Sequence, residues 1–179
     1  MSLILVRNRV NGQVIESNKD GVTFKVGQSF GNCPQYIQHR SIDYIHEVGK
    51  VGPSYEKHSF TNLDEASSSL IKNADTFFVS SFIKAKNRPE MEGVDVSHRG
   101  GRPGFVNIEG NTLTIPDYPG NNLFNTLGNF LVNPKGGLIF IDFTTGDLLM
   151  LTGTVELLWD VNEDIAAFKG AERAWKFTL

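Results

Sequence analysis

Four polar side chains at helical spacing are the first feature of the sequence that could do chemistry. Asn122, Asn125, Thr126 and Asn129 fall at or near the i, i+3, i+4, i+7 positions of one helix face. Asn and Thr are poor helix formers, and an exposed helix surface would normally carry Lys, Glu or Gln. The pattern predicts a face that hydrogen-bonds either a ligand or the neighbouring loops, and it leaves both possibilities open.

The segment just before this helix strengthens the ligand interpretation. It includes Pro116, Asp117 and Asn121, with a second proline and a glycine between them. Proline makes the segment rigid, and glycine lets a backbone approach closely. Because the N–H groups at a helix start favour an anion, a ligand bound here would be expected to carry a phosphate, whereas the alternative is an N-capped helix whose Asn side chains hold the neighbouring loops.

A second cluster with possible chemistry covers residues 97–104, which read SHRGGRPG. The two glycines predict a hairpin with Arg99 and Arg102 near its tip. Guanidinium groups bind carboxylate or phosphate in a bidentate fashion, although a solvated basic turn is the more common arrangement. Ser97 and His98 are adjacent in a predicted strand, so their side chains point to opposite faces, whereas Asp95 shares the face of Ser97.

Other kinds of site find little support. The histidines lack paired spacing, no CxxC or HExxH motif occurs, and we therefore predict no metal site. Neither a Gly-x-Gly-x-x-Gly turn nor a P-loop is present. The sequence identifies no catalytic residue.

Composition narrows the class of protein. The chain has 179 residues and a formal net charge of −3, which argues against a nucleic-acid partner held by bulk charge. Without an apolar run of about 18 residues, we expect no membrane span. The single cysteine, Cys33, fits a reducing compartment and thus a cytoplasmic location.

The elements that must position these residues are mostly strands. A hairpin turns at residues 18–21, and the alternation of Val22, Phe24 and Val26 predicts a half-buried strand. Residues 28–61 look irregular. A helix follows, capped by Thr61 or Asn62, with an apolar face that includes Leu63, Ala66, Leu70 and Ala74.

Six strands with short connections then predict an antiparallel barrel or sandwich. The helix over residues 123–132 interrupts the series, with Leu123, Leu127 and Leu131 as an apolar stripe facing the sheet. A shorter helix is expected over residues 162–168. We divide the chain into an N-terminal hairpin and loop extension, residues 1–61, and a barrel domain, residues 62–179.

Several segments together resemble the pyridoxamine 5′-phosphate oxidase-like FMN-binding split-barrel family. The resemblance covers residues 74–159 and is strongest to the branch that carries the motifs SHRGGRPGFV, at residues 97–106, and NTLGN, at residues 125–129. Residues 31–37, GNCPQYI, are also similar to a segment of that branch. The combination is specific, whereas each piece alone is not.

The resemblance implies a mostly-β fold, a six-stranded antiparallel split β-barrel with a few short helices. It also implies a homodimer with FMN at the subunit interface. The flavin ring would lie along the strand of Ser97, His98 and Arg99, and Arg99 or His98 would stabilise its reduced form. Arg102 and the segment of residues 121–129 would hold the phosphate and ribityl chain. Asn121, Asn122 and Asn125 occupy the helix-start region, where better-known oxidases carry an Arg and a Lys in the phosphate motif.

Three functions follow as hypotheses. The first is an FMN-dependent oxidoreductase acting on a small-molecule redox substrate. The alternative is a non-catalytic module that binds flavin or haem, with His98 or a histidine of residues 39–58 as the axial ligand to haem. The third is an interaction domain without a cofactor, in which the Asn-rich helix holds the loop of residues 28–61.

Overall fold

The computed structural model describes residues 7–32, 35–38, 40, 55–84, 92–120, 122–159, 165 and 167–179. Nine strands and two helices lie within these ranges. They are β1 (Arg7–Asn18), β2 (Gly21–Asn32), α1 (Glu65–Asn73), β3 (Thr76–Ile83), β4 (Gly93–Gly100), β5 (Asn107–Glu109), β6 (Thr112–Asp117), α2 (Asn125–Val132), β7 (Lys135–Ile141), β8 (Leu148–Leu158) and β9 (Arg173–Thr178).

The strands form two antiparallel sheets, which confirms the mostly-β fold with an N-terminal hairpin. One sheet is the β1–β2 ribbon, and the other has seven strands in the order β4-β3-β7-β8-β9-β6-β5. The three-residue β5 brings the larger sheet to seven strands rather than the expected six.

The larger sheet curls into a barrel that is split at one seam. Phe77 on β3 and Trp175 on β9 are three strands apart in the sheet, yet their ring centroids lie 6.4 Å apart. Across the seam, Arg99 on the edge strand β4 donates to Asp117 on β6 at 2.5 Å. Side chains rather than a backbone ladder therefore bridge β4 and β6.

Aromatic rings fill the barrel. Phe77 packs on Phe140 at a centroid distance of 4.8 Å, and Phe130 of α2 packs on Trp175 at 5.6 Å. Phe77, Phe140 and Trp175 are fully buried. Burial of rings this large dominates the stability of such a core.

The N-terminal hairpin has the predicted turn but not the predicted burial. Asn18 accepts hydrogen bonds from the backbone N–H groups of Asp20 and Gly21. However, Val22, Phe24 and Val26 are 54, 48 and 57% exposed, so the prediction of a half-buried strand is wrong. The base of the ribbon contacts the barrel through Arg9 and Asp95, whereas every residue from 12 to 29 is exposed. Because β2 continues to Asn32, the segment expected to be irregular begins as a strand.

Helix α1 begins later than predicted. Its N-cap is Asp64, whose carboxylate accepts from the Ser67 N–H at 2.7 Å, rather than Thr61 or Asn62. Asn62 is instead engaged by the side-chain amide of Asn111, which donates to it at 2.8 Å. Leu63, Leu70 and Ala74 pack on the core as expected, whereas Ala66 is exposed and Ile71 is the buried residue of the helix.

The predicted hairpin at residues 97–104 is wrong in its pairing. Strand β4 pairs with β3 along its whole length, Phe77 opposite Arg99, while β5 pairs with β6. Arg99 thus lies inside a strand, and only Arg102 lies in an exposed turn. Gly100 is needed because a side chain there would overlap the carbonyl oxygen of Tyr36.

Helix α2 presents a different face to the sheet from the one predicted. Leu127 is buried, but Leu123 and Leu131 are 59 and 63% exposed. The helix begins only at Asn125, so Leu123 precedes it, and the buried residues are Thr126, Leu127 and Phe130.

Most of the short helix predicted over residues 162–168 lies outside the described residues. The division at residue 61 stays a prediction.

Candidate cofactor-binding cleft

A cleft opens beside the seam, where the end of β4, the end of β6 and the start of α2 meet. Eight of the predicted site residues line it: Ser97, His98, Arg99, Pro116, Asp117, Asn122, Asn125 and Thr126. The tertiary fold therefore brings together the two polar segments that the sequence singled out. Their roles toward a cofactor stay predictions.

Two of the predicted residues stand elsewhere in the described structure. Arg102 lies in the exposed turn after β4, outside the lining of the cleft. Asn129 donates to Ser81 of β3 at 3.0 Å and ties α2 to the sheet. Asn121 lies outside the described residues.

Arg99 is held by a carboxylate at the bottom of the seam. Asp117 accepts from Arg99 at 2.5 Å, and its second oxygen lies 3.5 Å from Arg173. The side chain of Asp117 is only 10% exposed, so the two guanidinium groups compensate a largely desolvated charge. The Nε atom of Arg99 is buried and has no hydrogen-bond partner in the described structure. A buried donor of this kind is costly unless an acceptor reaches it.

A second carboxylate, Asp95, lies on the face of β4 that also carries Ser97 and Arg99. Asp95 accepts from Arg9 of the hairpin and from the hydroxyl of Thr126 on α2. The Thr126 oxygen in turn lies 2.8 Å from the Ser97 hydroxyl. The base of the hairpin is thus connected to the cleft wall through a buried ion pair.

The side chains that line the cleft carry a small net positive charge. Arg9, Arg99 and Arg173 carry three positive charges, and Asp95 and Asp117 carry two negative ones, so the described lining sums to +1. This balance suits a ligand with an anionic group.

The start of α2 offers further donors. Its N-cap position is Phe124, and no side chain caps the helix. Asn122, just before it, adopts the left-handed conformation with a φ of 57°. Because the positive end of the helix dipole lies here without a side-chain acceptor, an anion would be stabilised at this point.

Aromatic side chains form the outer wall. The rings of Tyr36 and Tyr118 lie 5.5 Å apart, and the Tyr36 hydroxyl donates to the Pro119 carbonyl at 2.9 Å. Burial raises the pKa of Tyr118, and the neighbouring Tyr36 raises it further. Tyr118 therefore remains a neutral phenol at physiological pH.

His98 lies at the side of the cleft, where its Nε2 is 3.2 Å from the Gln35 carbonyl oxygen. In the tautomer with the proton on Nε2 it donates to that oxygen, which fixes the imidazole orientation. Within the described part of the chain, no group of three or more His, Cys, Asp or Glu side chains is placed to hold a metal ion.

Sequence reasoning missed several lining residues. Arg173 lies far from the two motifs along the chain and no local pattern marks it, whereas Phe124 directly precedes NTLGN and Tyr36 belongs to residues 31–37. Asp95 did carry a signal, since it alternates with Ser97 and Arg99 along one strand face. Arg9 belongs to a hairpin whose packing on β4 only the tertiary structure shows.

Comparisons with known proteins leave the family open. No family model matches the chain, and no curated protein matches it. Among solved structures, a tagged variant of HupZ from Group A Streptococcus is similar at 15% identity and a TM-score of 0.49, covering 64% of this chain and 92% of that one. The fold described above therefore rests on the chain's own strand order and packing. No helix in the described ranges is long and apolar enough to cross a membrane.

Proposed function

We propose that the chain is an FMN-binding flavoprotein of the pyridoxamine 5′-phosphate oxidase-like type, with the flavin in the cleft beside the seam. The buried, unpartnered Nε of Arg99 carries this proposal. Arg99 lines the cleft, which also has an uncapped helix start and an aromatic face. FMN combines the matching parts, namely a phosphate, a planar ring and a ring edge rich in acceptors.

The residues present fit such a group in three ways. The start of α2 would hold the phosphate, with Asn122 and Asn125 beside it. Phe124 and Leu127 would exclude water from the ring. Arg99, held by Asp117, would donate to the edge of the ring where negative charge collects on reduction.

Bound FMN would supply hydride or electron transfer, which makes a flavin-dependent oxidoreductase with a small-molecule redox substrate the leading activity. The protein's own part is binding, orientation and charge compensation. No catalytic residue is assigned, and the cytoplasmic location stays a prediction.

A homodimer is part of the proposal. On the outward face of the larger sheet, Phe82, Val94, Val96, Leu148 and Met150 are between 43 and 69% exposed. Strand pairing places Val94 opposite Phe82, and β4 carries the cleft residues Asp95 and Ser97 on its other face. An exposed apolar face of this kind is typical of a protein–protein contact, and a second copy would bring the interface next to the cleft.

Size-exclusion chromatography with light scattering tests the dimer. We expect the mass of two chains, and of one chain for Val96→Glu. A wild-type monomer that still binds FMN tightly would contradict a cleft shared between subunits.

Titration with FMN, followed by the quenching of flavin fluorescence, tests the cofactor. Arg99→Met should weaken binding by about 10- to 100-fold, the effect of one hydrogen bond from a charged donor. Arg102→Met is the matched control, because it removes the same charge from an exposed turn outside the cleft. Equal affinity for all three proteins, with unfolding midpoints confirming folded variants, would overturn the assignment.

Haem is the second candidate, because His98 is among the residues that line the same cleft. A Soret band on addition of haem that His98→Ala abolishes would favour it over flavin. Flavin bound without turnover would indicate a non-catalytic module, and a protein that ignores both ligands would favour the interaction domain.

A further inference from the structure

Four side chains from three elements form one continuous hydrogen-bonded chain at the cleft wall. Ser97 on β4 lies 2.8 Å from Thr126 on α2, measured between their hydroxyl oxygens. Thr126 donates to one oxygen of Asp95, and Arg9 on β1 donates to the other. Asp95 and Thr126 are only 4 and 3% exposed, so water does not compete for these bonds.

The direction of this chain follows from counting protons. A guanidinium group only donates, and the carboxylate that it neutralises only accepts. Thr126 has a single hydroxyl proton and gives it to Asp95, so its oxygen can only accept from Ser97. Ser97 must then give its own proton to Thr126, which leaves both of its lone pairs for the cleft.

Ser97 thus differs from Arg99, its neighbour on the same strand face, in the kind of hydrogen bond that it can offer a ligand. Arg99 lies two residues along β4, about 7 Å away at the usual rise of a strand, and can only donate. The same face of β4 therefore presents an obligatory acceptor at Ser97 and, two residues further along, an obligatory donor at Arg99. A ligand edge that matches has an N–H next to a carbonyl oxygen, as in a cyclic imide.

We propose that Ser97 selects a ligand that carries an N–H at this edge. Thr126, Asp95 and Arg9 are positioning residues that fix the direction of the Ser97 hydroxyl. For flavin the proposal rests on the function proposed above, since the pyrimidine ring of FMN has one imide N–H between two carbonyl groups.

Titration with FMN and with its N3-methyl derivative tests the selection, because methylation removes that N–H. Wild-type protein should prefer FMN by about tenfold or more, the contribution of one buried hydrogen bond and the space for the methyl group. In Ser97→Ala and Thr126→Val the preference should fall to about twofold, since the first variant removes the acceptor and the second frees Ser97 to donate.

Ser81→Ala is the matched control. Like Ser97, Ser81 is a serine whose hydroxyl is hydrogen-bonded to α2, here through Asn129, but Ser81 is buried and does not line the cleft. This variant should keep the full preference for FMN. An unchanged preference in Ser97→Ala would overturn the proposal, and an equal loss in Ser81→Ala would show that only the seating of α2 matters.

Neutron diffraction of the protein without ligand provides a test that does not depend on flavin. We expect the Ser97 deuterium to point at Thr126 and the Thr126 deuterium to point at Asp95. A Ser97 deuterium directed into the cleft would overturn the proposal. If wild-type protein binds neither flavin, the proposed FMN function fails, and the deuterium positions alone decide whether the acceptor exists.

Discussion

The N-terminal ribbon and the barrel carry the same sequence pattern and have opposite environments. Val22, Phe24 and Val26 alternate with polar residues on β2 and are exposed, whereas Leu113 and Ile115 alternate with threonines on β6 and are fully buried. Alternation therefore specifies a strand with one apolar face. It does not specify what covers that face, because the covering residues come from distant parts of the chain.

Truncating one aromatic side chain in each region should reveal the largest difference in the free energy of unfolding between the barrel and the ribbon. Phe77→Ala should lower the free energy of unfolding by about 3–5 kcal/mol, because it opens a cavity among packed rings. Phe24→Ala, the same chemical change on the ribbon, should cost less than about 0.5 kcal/mol. Urea unfolding measures both, and equal costs would show that the ribbon is packed in solution.

The second-largest effect on the free energy of unfolding should come from removing the ion pair between Arg9 and Asp95, which joins the ribbon to the barrel. Arg9→Met leaves Asp95 buried without its cation and should cost about 3 kcal/mol in urea unfolding. The ribbon should also become more sensitive to limited proteolysis. Arg102→Met removes the same charge from an exposed turn and should stay within about 0.5 kcal/mol of wild type. A silent Arg9→Met would mean that the ribbon does not dock on β4.

One glycine in each region tests how closely other atoms pack around the backbone there. A side chain at Gly153 of β8 would overlap the Thr178 carbonyl oxygen and the Phe177 ring, so Gly153→Ala should cost about 1–3 kcal/mol. At Gly27 of β2 the added carbon would meet the Asn11 carbonyl oxygen at 3.6 Å and the Gly12 Cα at 4.0 Å, both ordinary contacts. Gly27→Ala should therefore leave stability unchanged or slightly higher, and a comparable loss would indicate a hidden contact of the ribbon.

The smallest effect concerns the cap of α1. The hydrogen bonds from Ser67 hold the pKa of Asp64 below its usual 3.8. A lowered folded-state pKa means that the carboxylate stabilises the fold above pH 3.8, and this contribution is lost as the pH falls through the folded-state pKa. Asp64→Asn keeps a capping acceptor but does not titrate, so the difference in unfolding free energy between the two proteins should shrink between pH 6 and pH 3. A constant difference would contradict this role.

Much of the fold follows from local patterns, and the errors have local causes too. The strand at Thr76–Ile83 and the hairpin turn at Asn18–Gly21 were predictable from β-branched residues, aromatic residues and turn residues. Residues 97–104 contain glycines that mimic a tight turn. Gly100 is required because the Tyr36 carbonyl oxygen lies too close to the strand for a side chain there, a contact that no local pattern encodes.

The candidate site likewise has features that the sequence predicted and others that it did not. The polar side chains of Asn122, Asn125 and Thr126 were visible as an unusual helix face, and all three line the cleft. Their individual partners were not visible, because each partner comes from another element. Thr126 faces Asp95 and Ser97, while Asn129 turns to Ser81, although both lie on the predicted polar face.

By itself the sequence determined where most of the strands run, where the polar helix lies and which two motifs supply residues to the cleft. These properties depend on neighbours within a few residues, where backbone preference and side-chain period act directly. Only the tertiary structure decided that Arg99 meets Asp117 across the seam, that Arg9 reaches Asp95, and that the ribbon stays uncovered. Such outcomes depend on how the sheet curls, since ion pairs and burial are set by distances between elements far apart in the chain.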